Sequence, residues 1–189
     1  MIRAIAFDCF GVLLDDYGHN WVNQSELPED VKAKLHNLFR KRDLGEIIDD
    51  EAYYKEVGEV SGVDPDVLRA REHGVSPIEP MLFSYIKNEL APRYELYIAS
   101  NASASLLDEL LKKEGFNTIF KHVFVSSNMG VVKPQAGFYE QILAKIDAPA
   151  EQILFVDDRQ RNVDGAIAAG MQGHTYTRLA GLKQVIDSL

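Results

Sequence analysis

Four short apolar segments, each followed by polar or small residues, constrain the fold of this chain more than any other feature. They cover residues 2–7, 94–99, 122–126 and 153–156. Segments this short and continuously apolar are typical of strands in a parallel sheet that is covered on both faces. Helical patterns separate or follow the later segments, over residues 103–114, 134–146 and 162–169. The alternation predicts an α/β fold with a Rossmann-like, doubly wound parallel sheet.

The region between the first two apolar segments has a different character. Residues 15–78 are rich in charge, with almost no strand pattern and with helical patterns over residues 28–42 and 50–60. We predict that residues 15–78 form a small α-helical cap domain over the active-site end of the sheet. Residues 1–14 and 79–189 then form the α/β core domain. A helical crossover without a role at the site is the alternative interpretation.

The composition narrows the classes of partner. A hydrophobic content of 46% is that of a globular protein. The net charge of −9 argues against nucleic acids and anionic membranes as partners, because both require a basic surface. A small phosphorylated molecule remains compatible, since a local cation or bound metal outweighs the overall field. One cysteine, Cys9, is expected to be a small buried hydrophobe, and no segment suits a signal peptide or membrane span, so we expect a cytoplasmic protein.

Polar side chains follow the predicted strands at the points where the strands end. In an open parallel sheet, ligands bind beyond the carboxyl ends of the strands, so these residues are expected to converge. Taken singly, such an aspartate is usually a helix cap and such a lysine a solvated charge. Their occurrence together indicates a functional site. The residues are Asp8 after the first strand, Ser100 and Asn101 after the second, Lys133 beyond the third, and Asp157 and Asp158 after the fourth.

These residue types suit chemistry at a phosphate group. A carboxylate attacks phosphorus or carbon and carries a covalent intermediate. Attack on a phosphate dianion is opposed by charge repulsion unless a lysine and a metal such as Mg²⁺, held by carboxylates, neutralise it. Serine and asparagine donate hydrogen bonds to phosphoryl oxygens, and Gly11 lets the chain turn sharply so that backbone N–H groups face an anion.

The motifs resemble those of the haloacid dehalogenase-like hydrolase superfamily. The first is FDCFGVL at residues 7–13, the second ASN at 99–101, the third KP at 133–134 and the fourth FVDDR at 155–159. The helical segment matches the small cap of this superfamily in position and size. Within it, the chain most resembles the branch with sugar-phosphate phosphatases and the phosphatase-like domain of soluble epoxide hydrolases.

The resemblance implies a role for each residue. Asp8 is expected to be the nucleophile, with Ser100 and Lys133 holding the phosphoryl group. Asn101 is expected to be a secondary phosphoryl or substrate contact, beside Phe10 and Gly11 in the substrate site. The implied cofactor is Mg²⁺, and the implied substrate is a small phosphorylated metabolite. The expected metal ligands are Asp8, the backbone carbonyl of Phe10, Asp158, and Asp157 directly or through water.

Phe10 departs from the family pattern. Phosphatases of the family usually carry a second aspartate there, which protonates the leaving alkoxide and later activates water. A phenyl ring transfers no proton, and losing a positioned acid–base typically lowers the rate by about 10²–10⁴-fold. One interpretation is a phosphatase for esters with good leaving groups, such as anomeric sugar phosphates, or one that uses water or a cap residue as the acid. The others are a 2-haloacid dehalogenase and a non-catalytic binding protein.

The dehalogenase interpretation follows from Phe10, because a halide leaves without a proton. Dehalogenases of the family use no metal, however, and they replace the acidic pair and usually carry threonine where this chain has Val12. Arg40 or Arg42 is a candidate halide or carboxylate ligand, although we expect both on a solvated helix face. The phosphatase interpretation is favoured because the acidic pair and Lys133 are present.

Several residues near the cap boundary receive weaker predictions. Asp15 and Asp16 are expected to be linker residues. His19 and Trp21 follow the nucleophile loop closely enough for either to reach a substrate.

Overall fold

The sheet has the predicted doubly wound topology. The computed structural model describes residues 1–189, except for the side chain of residue 117. Within this part of the chain the sheet has five parallel strands in the order β3-β2-β1-β4-β5. They are β1 Ala4–Phe7, β2 Glu95–Ser100, β3 His122–Val125, β4 Ile153–Asp157 and β5 Gln172–Thr175. Because β1 is central and later strands add on both sides of it, the α/β fold is confirmed.

Helices cover both faces of the sheet. The described helices of the core are α5 to α10, and those of the predicted cap are α1 to α4. None of the helices among the described residues is both long and apolar enough to cross a lipid bilayer. They are α1 Tyr17–Gln24, α2 Glu29–Asp43, α3 Asp50–Ser61, α4 Pro65–Glu72, α5 Pro80–Tyr85, α6 Ala104–Lys113, α7 Ser126–Met129, α8 Ala136–Lys145, α9 Gln160–Ala168 and α10 Leu179–Asp187, with a π-helical turn at Ile86–Leu90 and 3₁₀ turns at Phe116–Thr118 and Ala150–Gln152.

The alternation of side chains along β1 divides the core into two layers. Ile5 and Phe7 belong to one buried cluster, with the leucines of α6 and Leu182 of α10. Ala4 and Ala6 point to the other face, where they share a cluster with Phe138 and Tyr139 of α8. Small residues on this face of the central strand leave room for the aromatic rings. The sheet is thereby fixed at its centre, directly before the predicted nucleophile.

Helices α1 to α4 bury a cluster of their own. It contains Val22, Leu35, Tyr53 and Leu68, one from each helix, and it is distinct from the two clusters on the sheet. The two chain segments that join these helices to the sheet run side by side. Backbone N–H groups of Asp15 and Ile78 donate across them to Ser76 and Leu13, at 3.1 and 3.2 Å. The exact division at residues 15–78 stays a prediction.

Several parts of the core were not anticipated, among them the C-terminal helix α10. The edge strand β5 was missed because its sequence, QGHT, contains no apolar run and its residues are only partly buried. Gly173 lies so close to α9 that an added Cβ would meet Val163 at 2.6 Å, which explains glycine in a strand. The α5 helix and the π-helical turn after it were also missed. Strand β3 ends at Val125, one residue early, because Ser126 begins the short helix α7.

The packing of α9 on α8 gives a testable prediction. Gly165 has ordinary helical geometry, but a Cβ there would lie 2.7 Å from the ring of buried Tyr139. Gly165→Ala should therefore lower the free energy of unfolding by about 1–3 kcal/mol, although alanine is the better helix former. Gly137→Ala in α8 is the matched control, because its Cβ meets only a methyl group of Val131, at 3.7 Å. Urea titration should show the control unchanged or slightly stabilised, and equal losses in both variants would contradict the packing account.

Candidate active site

Asp8 lies directly beyond the central strand and is held by the backbone. Its N–H donates to the carbonyl of Val156 at 2.8 Å, which carries the β1–β4 pairing one residue past the strand. The N–H of Cys9 donates to Asp8 Oδ1 at 2.7 Å. Gly11 then turns the chain with φ +91°, a conformation that favours glycine. These contacts fix the direction of the Asp8 carboxylate.

Lys133 joins two of the strand-end carboxylates. Its Nζ lies 2.8 Å from Asp8 Oδ1 and 2.6 Å from Asp157 Oδ2, and all three side chains are buried. Asp158 completes the group, since carboxylate oxygens of the three aspartates lie within 4.8 Å of one another. The predicted convergence of residues from β1, β4 and the loop after β3 is therefore present.

Asp8, Asp157 and Lys133 strongly affect one another's pKa values. Burial raises the pKa of Asp8 well above its ordinary value, and the neighbouring charge of Asp157 adds to this effect, against the opposing pull of Lys133. Burial would also raise the pKa of Asp157, but Lys133 outweighs it and the pKa is lowered. The two carboxylates in turn outweigh burial at Lys133 and raise its pKa. This group therefore contains three carboxyl groups but only one lysine, so negative charge exceeds positive charge when the carboxyl groups are ionised.

The donor set fits a hard divalent cation such as Mg²⁺. Asp158 Oδ1 is buried and has no hydrogen-bond partner among the described residues. Gly11 makes room for this carboxylate, because an added Cβ would lie 2.5 Å from it. The carbonyl oxygen of Phe10 takes no part in the backbone hydrogen bonds of the described nucleophile loop. Oxygen atoms with unused lone pairs are the ligands that Mg²⁺ binds.

Asp157 has a different environment from Asp158. Its Oδ1 accepts hydrogen bonds from the Arg159 N–H and Asn162 Nδ2, both at 2.9 Å, while its Oδ2 accepts from Lys133. Both oxygens are thus engaged within the protein. This favours the second form of the prediction, in which Asp157 reaches a metal through water.

Ser100, the last residue of β2, and Asn101, which follows it, have different environments. Asn101 lines the cavity, but its amide pairs with the backbone of Lys133, accepting from the N–H at 2.8 Å and donating to the carbonyl at 3.2 Å. This pair fixes the loop that carries the lysine. Ser100 is fully buried, and its hydroxyl has no partner among the described residues. Their predicted phosphoryl contacts stay predictions.

The turn at Gly11 is closed by hydrogen bonds within the loop itself. Its N–H donates to the carbonyl of Leu14 at 2.8 Å, and the next two N–H groups donate to Cys9. The N–H of Gly11 is therefore engaged within the loop, and the expectation that backbone N–H groups of this turn face an anion stays a prediction. The N–H of Phe10 is the one backbone donor of the described loop between Cys9 and Leu14 that these bonds leave free.

A cavity of about 810 Å³ opens above Asp8, between the sheet and helices α1 to α4. The core contributes Asp8, Lys133 and Asp158 to its wall, and Phe10 lies among them. The helices contribute a wall of aromatic rings. Those rings belong to Tyr17, His19, His36, Phe39 and Tyr53. A cavity of this size accommodates a phosphate group together with an organic group.

Of the two arginines predicted to lie on a solvated helix face, Arg42 does not. Arg42 is not solvated: it is buried, pairs with Asp50 and Glu72 at 2.8 Å each, and lies 4.0 Å from the centre of the Tyr53 ring. Its charge is thereby balanced within the helices, so it is not a free ligand for a halide. Arg40 is exposed as expected, and it also lines the cavity.

Asp16 is more than a linker residue. Its carboxylate accepts a hydrogen bond from the N–H of His19 at the start of α1, and it pairs with Arg159 at 2.7 Å. Arg159 directly follows Asp157 and Asp158, so this ion pair links α1 to the loop after β4. His19 lines the cavity, and Trp21 stacks on Tyr17 outside it.

Asp43, at the end of α2, also lines the cavity and was missed by sequence reasoning. Burial raises its pKa to about 7, against the opposing charges of His19 and Arg42. Its backbone carbonyl accepts a hydrogen bond from Ser126 Oγ at 2.6 Å, which ties α2 to the end of β3. No local sequence motif marks Asp16 or Asp43, because their partners Arg159 and Ser126 lie far away in the sequence.

The buried lysine gives a prediction about stability. Lys133→Met leaves Asp8 and Asp157 buried without their cation, so the free energy of unfolding should fall by about 3–5 kcal/mol. The control is Lys112→Met, which breaks an exposed pair with Asp108 and should cost less than about 0.5 kcal/mol. Urea titrations in chelator measure both. A loss at Lys133 no larger than at Lys112 would contradict the charge balance described above.

Asp43 gives a prediction about pH. A carboxyl whose pKa rises on folding to about 7 makes the folded state progressively less favourable as pH rises from the ordinary pKa of aspartate to this value. Asparagine does not ionise, so the stability of Asp43→Asn relative to the parent should rise between about pH 4 and about pH 7 and stay constant above that. Urea midpoints test this, with the exposed Glu46→Gln as control. A stability difference that is independent of pH would show that Asp43 is not perturbed.

Comparison with known proteins gives two curated relatives. A sesquiterpene phosphatase from Aspergillus oryzae is 25% identical over 175 residues, which are 90% of this chain and 88% of that protein. A drimenol cyclase from Aspergillus calidoustus is 29% identical over 181 residues, which are 91% of this chain. They are only 33% of the cyclase, so the chain spans about a third of its length.

Solved structures share the fold. A HAD-like family hydrolase from Porphyromonas gingivalis aligns with a TM-score of 0.75 and 23% identity, covering 98% of both chains. A HAD family enzyme from Bacteroides thetaiotaomicron, in complex with magnesium and inorganic phosphate, aligns at 0.72 with 18% identity, covering 94% of this chain and 95% of that one. The L-2-haloacid dehalogenase of Xanthobacter autotrophicus aligns at 0.69 with 20% identity, covering 100% and 83%.

The family comparison is the most extensive. The haloacid dehalogenase-like hydrolase family matches residues 2–170 of this chain. That range includes the loop that carries Asp8, all four helices of the predicted cap and the acidic pair Asp157 and Asp158. The chain therefore belongs to the haloacid dehalogenase-like hydrolases and is an enzyme of the hydrolase class.

Proposed function

We propose that this enzyme is a Mg²⁺-dependent phosphatase that hydrolyses a small phosphorylated metabolite through an aspartyl-phosphate at Asp8. The observation that carries the proposal is the excess of carboxylates around one lysine. Lys133 pairs with Asp8 and Asp157, and Asp158 lies beside them without a salt bridge among the described residues, so the three carboxylates exceed the charge of Lys133 by two when all are ionised. A divalent cation would balance that charge. A metal-independent reaction would not require such an excess of carboxylates.

The metal ligands in this proposal are Asp8, the carbonyl of Phe10, Asp158 and, through water, Asp157. When bound, Mg²⁺ would neutralise charge on the phosphoryl oxygens and so reduce their repulsion of Asp8. The residues of the chain perform the steps. The Asp8 carboxylate attacks phosphorus, and the bond from phosphorus to the leaving oxygen breaks. Water then attacks the same phosphorus, the bond to Asp8 breaks, and inorganic phosphate leaves.

Lys133 has two functions in this scheme. Its ammonium group holds Asp8 in place at 2.8 Å, and it supplies a fixed positive charge beside the transferred group. Asn101 positions it through the paired backbone hydrogen bonds. We propose that Ser100 and Asn101 also contact the phosphoryl group, with the buried unpartnered hydroxyl of Ser100 as the main support for this role.

The aromatic wall of the cavity supports a substrate with an organic leaving group. Phe10, Phe39 and Tyr53 contribute rings to the space above Asp8, and the related fungal protein is named a sesquiterpene phosphatase. We therefore place a carbon-rich group of the metabolite against this wall, with helices α1 to α4 acting as the cap. A cytoplasmic location belongs to the same proposal.

A dehalogenase reaction is the second candidate, and Phe10 favours it because halide departure needs no proton. The acidic cluster opposes it. A haloacid carries its own carboxylate, which Asp157 and Asp158 would repel in the absence of a metal. A non-catalytic binding role would likewise leave the coupled charges of Asp8 and Lys133 without a use.

The proposal predicts metal-dependent release of phosphate from an activated aryl phosphate. Dinitrophenyl phosphate is the first substrate to use, because its leaving group needs no protonation. Turnover should be present with Mg²⁺, should disappear with chelator, and should fall by at least about 10³-fold in Asp8→Asn, which removes the nucleophile.

The controls separate the candidate reactions. Asp30→Asn alters an exposed carboxylate that pairs with Lys34 on α2 and should leave turnover unchanged. Release of halide from a 2-haloacid without metal would establish the dehalogenase instead. Absence of turnover for both substrates in a folded, Mg²⁺-saturated protein would support a binding role.

A further inference from the structure

The proposed phosphatase lacks a proton donor next to its nucleophile. Phe10 occupies the place of the usual acid, and its ring lines the cavity beside Asp8. A leaving alkoxide needs a proton in the first step, and water must lose one in the second. Within the described chain, a side chain that takes this role has to line the same cavity and be held in a defined direction.

His19 meets both conditions. It lies in the first turn of α1 and lines the cavity together with Asp8. Its Nδ1 is 3.1 Å from Asp16 Oδ1, and the side chain is 30% exposed, so it is accessible from the cavity. A histidine held by a carboxylate through one ring nitrogen is the arrangement that presents the other nitrogen for proton transfer.

The ionisation of Asp16 fixes the tautomer. Burial alone would raise the pKa of Asp16, but the hydrogen bond from His19 and the charges of His19 and Arg159 outweigh it, so the pKa is lowered. The ionised carboxylate accepts hydrogen bonds only, which places the proton of the neutral ring on Nδ1. Nε2 makes no hydrogen bond with the described residues and is left as the nitrogen that exchanges a proton.

Further contacts hold the ring in place. His36 stacks on it at 5.6 Å between ring centres, and Phe39 meets it edge to face at 5.4 Å. Asp16 Oδ2 pairs with Arg159 at 2.7 Å, and Arg159 directly follows Asp158. The histidine is thus connected through one carboxylate to the loop that carries the acidic pair. Its position relative to the nucleophile depends on this link between α1 and the core.

We propose that His19, positioned by Asp16, is the acid–base residue that replaces the aspartate missing at position 10. This rests on the proposed phosphatase function. As Asp8 attacks phosphorus and the ester bond breaks, the electron pair of that bond goes to the leaving oxygen, which takes the proton from Nε2 of protonated His19. Neutral His19 then accepts a proton from the water that attacks the aspartyl-phosphate. Phosphate leaves, Asp8 is restored, and His19 is protonated again.

The charges around His19 come from several elements. Asp16 faces His19 from the residue before α1, and Arg159 faces it from the loop after β4. His36 and Asp43 face it from α2. Glu72 of α4 lies beside Gly18, the residue before His19. Asp43 also lines the cavity, and burial raises its pKa to about 7. It has no hydrogen bond to orient its carboxyl among the described residues, whereas His19 has one.

The test is the dependence of kcat/KM on the leaving group, measured with Mg²⁺ over a series of aryl and alkyl phosphates. In His19→Gln the side chain keeps a donor for Asp16 but carries no transferable proton. Its kcat/KM should fall by about 10²–10⁴-fold for alkyl phosphates and by less than about 5-fold for dinitrophenyl phosphate. A fall of kcat/KM toward high pH in the parent should be absent from the variant. Slow hydrolysis of the intermediate should also appear as an initial burst of phenol.

The controls make each outcome decisive. His122→Gln replaces an exposed histidine on β3 and should match the parent for every substrate. Adding Phe10→Asp to His19→Gln should restore alkyl phosphate hydrolysis, because it returns an acid to position 10. Equal losses for all leaving groups, or a leaving-group effect in Asp43→Asn instead of His19→Gln, would overturn the assignment. A parent enzyme inactive even on dinitrophenyl phosphate would refute the proposed function itself, before His19 is tested.

Discussion

The buried ion pairs of Lys133 hold the site together. Its ammonium group lies 2.8 Å from Asp8 and 2.6 Å from Asp157, so one cation fixes two strand ends that belong to β1 and β4. Isolated charges are too costly to bury, and none of the three groups would be stable here alone. Asp158 lies beside these pairs, and its Oδ1 has no hydrogen-bond partner among the described residues. The structure therefore concentrates negative charge at the place where a cationic cofactor and a phosphate are proposed to meet.

In the proposed mechanism, the predicted cap supplies the acid–base residue that the core lacks at position 10. Two side-chain contacts attach α1 and α2 to the core close to the site, namely Asp16 with Arg159 and Ser126 with the carbonyl of Asp43. The cavity between them collects titratable groups and aromatic rings from helices with their own hydrophobic cluster. In the proposed mechanism, Phe10 at the place of the usual acid therefore transfers the demand for a proton to the predicted cap.

The sequence predicts this fold well because its signals are local and repeated. The apolar segments that become β1, β2, β3 and β4 are recognisable individually, and the parallel topology then brings Asp8, Lys133 and Asp157 together. Strand β5 carries no such segment, since its half-exposed edge position requires none. Arg42, Asp16 and Asp43 were misjudged or missed for a related reason. Their partners lie on other elements, and a charged residue on a helix has the same pattern whether it faces solvent or a buried partner.

The most direct test of the central claim is to trap the intermediate on Asp8. The enzyme is quenched during turnover of an aryl phosphate and treated with borohydride, which reduces an aspartyl-phosphate to homoserine, and the peptides are mapped by mass spectrometry. The account predicts homoserine at position 8 when Mg²⁺ is present, and unmodified Asp8 in chelator. Unmodified Asp8 during active turnover, or homoserine at any other aspartate, would contradict it.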